Sequence, residues 1–281
     1  MHAINFALPN YQQRVALRDR LQKTKAEKRM DARIALTLLH DSLKAFVALL
    51  GRAAPASSVI EYPGIVASLV PDTPERSIFN SVVYEHLDHL KNVYPEMDRH
   101  YLRAGVRAWM VWLMPGADDA ASFLDEHGHK FDGAPIAMTR DLDNFSFTIP
   151  HHFDWALTKN LGTVATLNEE AYGLRGSSFR AALRRVDDPG ARFYIARVAG
   201  EPMSSVMLLE HNGNCGVYCV ATLPSAQAQG LSSTLISIAL NEARQRGCTT
   251  ATVQAMPMGY TVFRNLGFHD LGKMALWELR R

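Results

Sequence analysis

Residues 224–235 read PSAQAQGLSSTL, and a periodic apolar run follows at once in Ile236, Ile238, Ala239 and Leu240. A chain that passes through a small-residue turn into a helix presents backbone N–H groups that the helix itself cannot satisfy, all directed at one spot. The helix dipole adds partial positive charge there, so the chemistry open to this stretch is anion binding, with phosphate or pyrophosphate the best fit. Gly230, flanked by Ala228, Ser232 and Ser233, lets a large ligand come close to the main chain. A plain strand-to-helix connection would use the same residues. Neither a G-x-x-x-x-G-K-[ST] sequence nor a G-x-G-x-x-G with a downstream acid is present to decide between the two. The adjacent pair His151 and His152 points to opposite sides of an extended chain, so no metal is assigned to it.

The elements that would hold this turn can be read from periodicity. Residues 10–50 repeat apolar positions at helical spacing up to Gly51, and Pro55, Pro63, Pro71 and Pro74 punctuate the strand-like runs IVASLV and IFNSVVY that come next. EHLDHLKNVYPEMDRHYLRAG reads as a helix that Pro95 must break or kink. AWMVWLM reads as a strand buried on both faces, ADDAASFLDEHG as a short helix and APIAMTRDL as another strand. In the second half DWALT is a strand, LGTVATLNEEAYG and SSFRAALRRV are helices, and 191–224 is a three-strand meander. A helix from Gly230 to Arg246, the strand TTATVQAM, the short helix YTVFRNLG and the strand GKMALWEL complete a mixed sheet flanked by helices.

The two halves echo each other. RAGVRAWMVWLMPG at 103–116 aligns with QRGCTTATVQAMPM at 245–258, matching Gly105 with Gly247, Val111 with Val253, Met114 with Met256 and Pro115 with Pro257 at an offset of 142 (247 − 105). Together with the shared order of elements this favours a duplicated domain. The same offset takes the Gln227–Ser232 turn to EHLDHL, which has no glycine and no run of small residues.

Composition bounds the reading further. With 281 residues, 47% hydrophobic and 21% charged, the chain is of the ordinary globular kind and long enough for two domains. A net charge of +2 gives no nucleic-acid face, since the one basic stretch, RLQKTKAEKR at 20–29, reads as a solvated helix side. No run approaches the ~20 apolar residues of a membrane span. The N-terminus shows no basic leader with an apolar core, so the expected compartment is the cytoplasm. Cys215, Cys219 and Cys248 have neither metal nor disulfide-framework spacing and read as small core residues in a reducing compartment.

The segment VATLPSAQAQGLSSTLISIALNEARQRG resembles the acetyl-CoA-binding motif of the GNAT superfamily of N-acetyltransferases, [RQ]-x-x-G-x-[GA], with Gln227, Gly230 and Ser232 on its three positions and serine replacing Gly or Ala at the last. ATVQAMPMGYTVFRNLGFHDLG resembles the next part of the family, a strand, a short helix and L-G-F at 266–268. The resemblance covers roughly residues 150–281 and implies an α/β (α+β) chain of two such domains, each a mixed, mostly antiparallel sheet flanked by helices. The expected division is a helical segment at 1–50, a degenerate domain at 51–148 and an acetyl-CoA-binding domain at 149–281. It further implies that Ala228, Gln229, Gly230, Leu231, Ser232 and Ser233 cradle the pyrophosphate and that Val220, Ala221 and Thr222 pair with the pantetheine arm.

The implied reaction is direct attack of an amine on the thioester of acetyl-CoA or another acyl-CoA, the acceptor being a small molecule or an amino acid, with no nucleic acid or membrane partner. Relatives often carry a tyrosine acid where this chain has Phe263, and Tyr260, one turn earlier, is the substitute. Glu210 is the chosen base, from a set that includes His211, Glu169 and Glu170; the last two could also hold a cationic acceptor, with Arg175 for an anionic group. Phe263 leaves open a CoA-binding regulatory protein without turnover, and the long N-terminal helical segment with the repeated fold leaves open a scaffold.

Overall fold

Two sheets and the helices between and around them are seen in a computed structural model, which describes residues 32–143, 145–174 and 176–281. The helical reading over 10–31, the basic stretch at 20–29 and Arg175 lie outside the described residues. Helix α1, described over 32–50, places Leu39, Leu43 and Val47 against residues of both sheets, among them Trp112, Ala137, Met274 and Leu276. Strands β1 (Ser58–Tyr62), β2 (Ile65–Leu69) and β3 (Ser81–Tyr84) follow, then α2 (Leu87–Arg103), β4 (Ala108–Leu113), α3 (Asp118–Glu126), β5 (Lys130–Gly133) and β6 (Ile136–Asp141). The second half runs β7 (Trp155–Leu157), α4 (Leu161–Ala171), α5 (Ser178–Ala182), β8 (Ala191–Val198), β9 (Glu201–His211), β10 (Asn214–Thr222), α6 (Leu231–Gln245), β11 (Thr250–Ala255), α7 (Pro257–Asn265), β12 (His269–Lys273) and β13 (Ala275–Arg280).

Of the break or kink expected at Pro95, the break does not occur: α2 is continuous with Pro95 inside it. Its Leu90, Tyr94, Met97 and Tyr101 are buried on one face, and that packing outweighs one missing backbone donor. Strand β4 is buried at every position, as its unbroken apolar run implies. The edge strands β5 and β12, polar and short, were not legible as strands; they are fixed by pairing to neighbours.

The strand order shows how the halves are joined. One sheet reads β1-β2-β3-β4-β13-β5 and the other β7-β8-β9-β10-β11-β6-β12. Each half is therefore completed by the last strand of the other: β13 lies between β4 and β5, and β6 between β11 and β12. Both insertions are antiparallel on both sides. A division of the chain at 148/149 leaves each sheet holding a strand that the other half supplies.

His129 ties the inserted β13 to α2. Its imidazole is fully buried, with Nδ1 3.2 Å from the Trp277 carbonyl and Nε2 3.0 Å from the Tyr94 hydroxyl, and its ring stands edge-on to Trp109 at 4.6 Å. A carbonyl only accepts, so Nδ1 carries the hydrogen and Nε2 accepts from Tyr94. Burial pushes the imidazole down to about 4.

Two outcomes follow from this architecture. The unfolded chain protonates His129 near pH 6.5 and the folded one only near pH 4, so the stability is fully present above pH 6.5 and falls by about 3 kcal/mol on acidification to pH 4. Denaturant melts of a His129→Gln variant across that range will show a correspondingly shallower decline. Residues 149–281 expressed alone lack β6 and will give no cooperative melt by circular dichroism, whereas adding residues 1–148 as a separate chain will restore one.

Candidate functional site

The site begins with a strand that is paired differently on its two edges. Along one edge β10 runs antiparallel to β9, from Asn214 opposite His211 to Thr222 opposite Ser204, with a register shift between Tyr218 and Ala221. Cys219 sits in that bulge at φ 48, a left-handed conformation that a residue with a side chain adopts only under local constraint. Along the other edge β10 is parallel to β11 for three pairs only, Asn214–Gly216 with Thr250–Thr252. Beyond Gly216 the two strands part while each continues, and the gap opens beside the bulge.

One face of the gap is covered by α6, whose Leu235, Ile236, Ala239 and Leu240 pack with Val217. The other is covered by α4 and α1. Tyr218 stacks on Phe46 of α1 at 4.0 Å and 5°, and its hydroxyl is 2.9 Å from Ser42. This helix fits only because position 216 lacks a side chain: a Cβ on Gly216 would lie 2.1 Å from the Ser42 Oγ. Gln254, on β11, stands beside Tyr218 with its Nε2 buried.

At the open end, β10 passes through a short 3-10 turn at Pro224–Ala226 and the exposed residues Gln227–Gly230 before α6 begins. Ala226 is buried and anchors the loop; the Gln227 Nε2 folds back to the Thr222 carbonyl at 3.2 Å, and the Gln229 Nε2 reaches the Ser225 carbonyl at 3.2 Å. Ala228 and Gly230 both have positive φ, 59 and 75. Among the described residues, none of the backbone N–H groups from Ala228 to Ser233 meets an acceptor. A Cβ on Gly230 would have only the Ser233 Oγ near it, at 3.8 Å, so the space in front of these donors is open. Such a cradle at a helix N-terminus suits a phosphate group.

A cluster of polar side chains lies behind the bulge and binds each of its carbonyls. The Tyr172 hydroxyl donates to Val220 O at 2.7 Å, Ser205 Oγ to Cys219 O at 3.2 Å and Ser204 Oγ to Ala221 O at 2.8 Å. Asn168, fully buried on α4, donates from Nδ2 to Val164 O at 2.9 Å and to Ser205 Oγ at 3.1 Å. None of these residues was singled out from the sequence. Adjacent serines inside the otherwise apolar PMSSVMLLE, and an asparagine in the apolar stripe of α4, were the available signals. The Tyr172 and Ser42 contacts span 48 and 176 residues and left no local trace. Cys219, read as a core residue, is the bulge residue itself.

The structure brings Val220, Ala221, Thr222 and Gln227 to Ser233 together at one end of the gap, and puts Glu210 at the other end of the strands. Glu210 faces Cys215, and β9 runs antiparallel to β10, so Glu210 lies at the opposite strand end, about 17 Å from Ser205 and the bulge. There it accepts from the Arg246 Nε at 2.8 Å and Nη2 at 2.5 Å, an ion pair with both partners mostly buried. Tyr260 is drawn toward the sheet edge by donating to Asp270 of β12 at 2.8 Å, and that hydrogen bond raises its hydroxyl above the usual range. Phe263 packs into the core against Phe268 at 5.3 Å. The Glu169 Oε1 accepts from the Arg180 N–H at the start of α5, 3.1 Å away, while Glu170 is exposed.

Residues 154–268 match the model of the Acetyltransferase (GNAT) family. No curated protein matches the sequence. Among solved structures, a GCN5-related N-acetyltransferase from Kribbella flavida is similar with a TM-score of 0.62 and 16% identity, over 88% of this chain and 94% of its own. A functionally unknown conserved protein from Staphylococcus epidermidis gives 0.57 and 13%, over 79% and 93%. A GCN5-related N-acetyltransferase from Sphaerobacter thermophilus gives 0.52 and 16%, over 78% and 81%. These likenesses cover both sheets and show a shared fold. The parted parallel strands, the bulge and the open N–H cradle all lie inside residues 154–268, the segment that matches the acetyltransferase (GNAT) family.

Proposed function

We propose that this chain is an acyl-CoA-dependent N-acyltransferase that moves an acetyl group from acetyl-CoA to the amine of a small molecule or amino acid. The observation that carries the reading is the open cradle of unsatisfied N–H groups from Ala228 to Ser233 at the mouth of a gap between parallel strands. When bound, acetyl-CoA supplies a thioester whose carbonyl carbon takes the amine nitrogen while the carbon–sulfur bond breaks and the thiol leaves with the proton the amine gives up. The donors of Ala228, Gln229, Gly230, Leu231, Ser232 and Ser233, reinforced by the α6 dipole, hold the pyrophosphate. The backbone of Val220, Ala221 and Thr222 lines the path of the pantetheine arm. Gln227 keeps the loop fastened to the strand end through its bond to Thr222.

The acceptor side is formed by α4 and the residues after it, where Glu170 is exposed and available to a cationic amine. Glu169 is less suited, because it already caps α5. The first half is read as a diverged copy without a cofactor site: only Glu85 and His86 separate β3 from α2, where Leu223 to Gly230 separate β10 from α6. The three unpaired thiols fit a reducing compartment, and the cytoplasm is the proposed location. No described helix is long and apolar enough to cross a membrane.

A second reading, a CoA-binding protein without turnover, is favoured by Phe263 in the core and Tyr260 held by Asp270. Tight acetyl-CoA binding with no acetylation across a broad amine panel selects it over the transferase.

Calorimetric titration with acetyl-CoA tests the shared premise. Wild-type protein will bind in the micromolar range and Gly230→Glu at least tenfold more weakly, since its carboxylate enters the open cradle and repels the phosphates. Gly230→Asn, which tolerates the left-handed backbone, controls for strain. Glu210→Gln will leave acetyl-CoA affinity unchanged while lowering the melting temperature by several degrees, as expected for breaking a largely buried ion pair far from the gap.

A further inference from the structure

The bulge in β10 is held by a relay that starts outside the strand. Asn168 is fixed on α4 by its bond to Val164 O, hands a second hydrogen to Ser205 Oγ, and Ser205 in turn donates to Cys219 O. Asn168 and Ser205 are both fully buried. The Cys219 carbonyl is thereby turned toward β9 and α4. No cis peptide is present among the described residues, and across a trans peptide the carbonyl and the following N–H point in opposite directions. The Val220 N–H is consequently turned away from β9, toward β11 and the α6 side, which is the gap.

We propose that Asn168 and Ser205 are positioning residues that aim the Val220 N–H at the thioester oxygen of the acyl donor. The inference rests on the transferase reading above and concerns how that site is oriented. A left-handed residue such as Cys219 leaves its flanking peptides free to rotate out of the ladder, so their direction must be imposed by partners. The serine supplies the direct hydrogen bond, and the asparagine fixes the serine rotamer and places the acceptor lone pair away from the carbonyl. Tyr172 clamps the next carbonyl, that of Val220, and keeps the bulge from relaxing toward a regular strand. A donor set in advance toward the oxygen where charge builds lowers the barrier without reorganisation during reaction.

The test is isotope-edited infrared spectroscopy of [1-13C]acetyl-CoA bound to the full chain, with calorimetry on the same samples. The wild-type protein shifts the thioester carbonyl band to lower wavenumber than in water-free solvent, as a strong donor polarises it. Ser205→Ala and Asn168→Leu lose at least half of that shift while the Kd for acetyl-CoA stays within about threefold, because the pyrophosphate cradle is untouched; Ser205→Thr restores the shift. Ser205→Ala removes a single oxygen and keeps the protein folded should Asn168→Leu fail. Wild-type protein that binds acetyl-CoA, with a band that is the same in the variants, overturns the positioning role alone. Wild-type protein that binds no acetyl-CoA overturns the transferase reading, and this role with it.

Discussion

Everything at the site depends on two parallel strands that stop pairing early. After Gly216 and Thr252 the main-chain groups of β10 and β11 no longer satisfy each other, and the chain must meet that deficit by other means. On the β9 side it does so with a bulge whose carbonyls are taken by Asn168, Ser204, Ser205 and Tyr172. On the β11 side the strand is held in place from behind by six pairs with β6, a strand from the other half of the sequence. The gap survives because both of its walls are secured on their outer edges.

The loop was legible because its signal is local. Small residues, one glycine and the start of a strong helix sit within a dozen positions, and their backbone consequences follow from residue type alone. The order of elements was legible for the same reason, as periodicity is a property of neighbours. The strand exchange was not: APIAMTRDL and GKMALWEL read as strands in either arrangement, and nothing in their composition says which sheet receives them. Glu210 was misplaced by strand direction. It is next to the cofactor strand, but antiparallel pairing puts its end of β9 beside the start of β10 rather than beside the loop. Tyr260 was placed by helical spacing, which is correct for the helix and silent about Asp270 on β12.

The two halves show what a cofactor site requires beyond a shared topology. β3 and β4 are parallel neighbours, as β10 and β11 are, and each pair is followed by the same succession of helices and strands. Yet β3 pairs with β4 up to Val83, ends at Tyr84 and enters α2 almost directly. Without a bulge there is no parted edge, and without the loop there are no spare donors at the helix start. Helix α1 then makes the first half structurally useful to the second, by carrying Ser42 and Phe46 to Tyr218 under the gap.

The exchanged strands also set the order in which the protein can be assembled. β13 follows every other element in sequence, yet it fills a central place in the sheet built by the first half, between β4 and β5. During synthesis that sheet remains split until the last of these residues has emerged, with the Trp277 carbonyl not yet available to His129. Contacts between positions so distant in sequence form slowly, and the waiting edges of β4 and β5 are open to wrong partners. The chain therefore matures as one unit rather than half by half, and the open edges of β4 and β5 stay exposed to misassembly until β13 has been made.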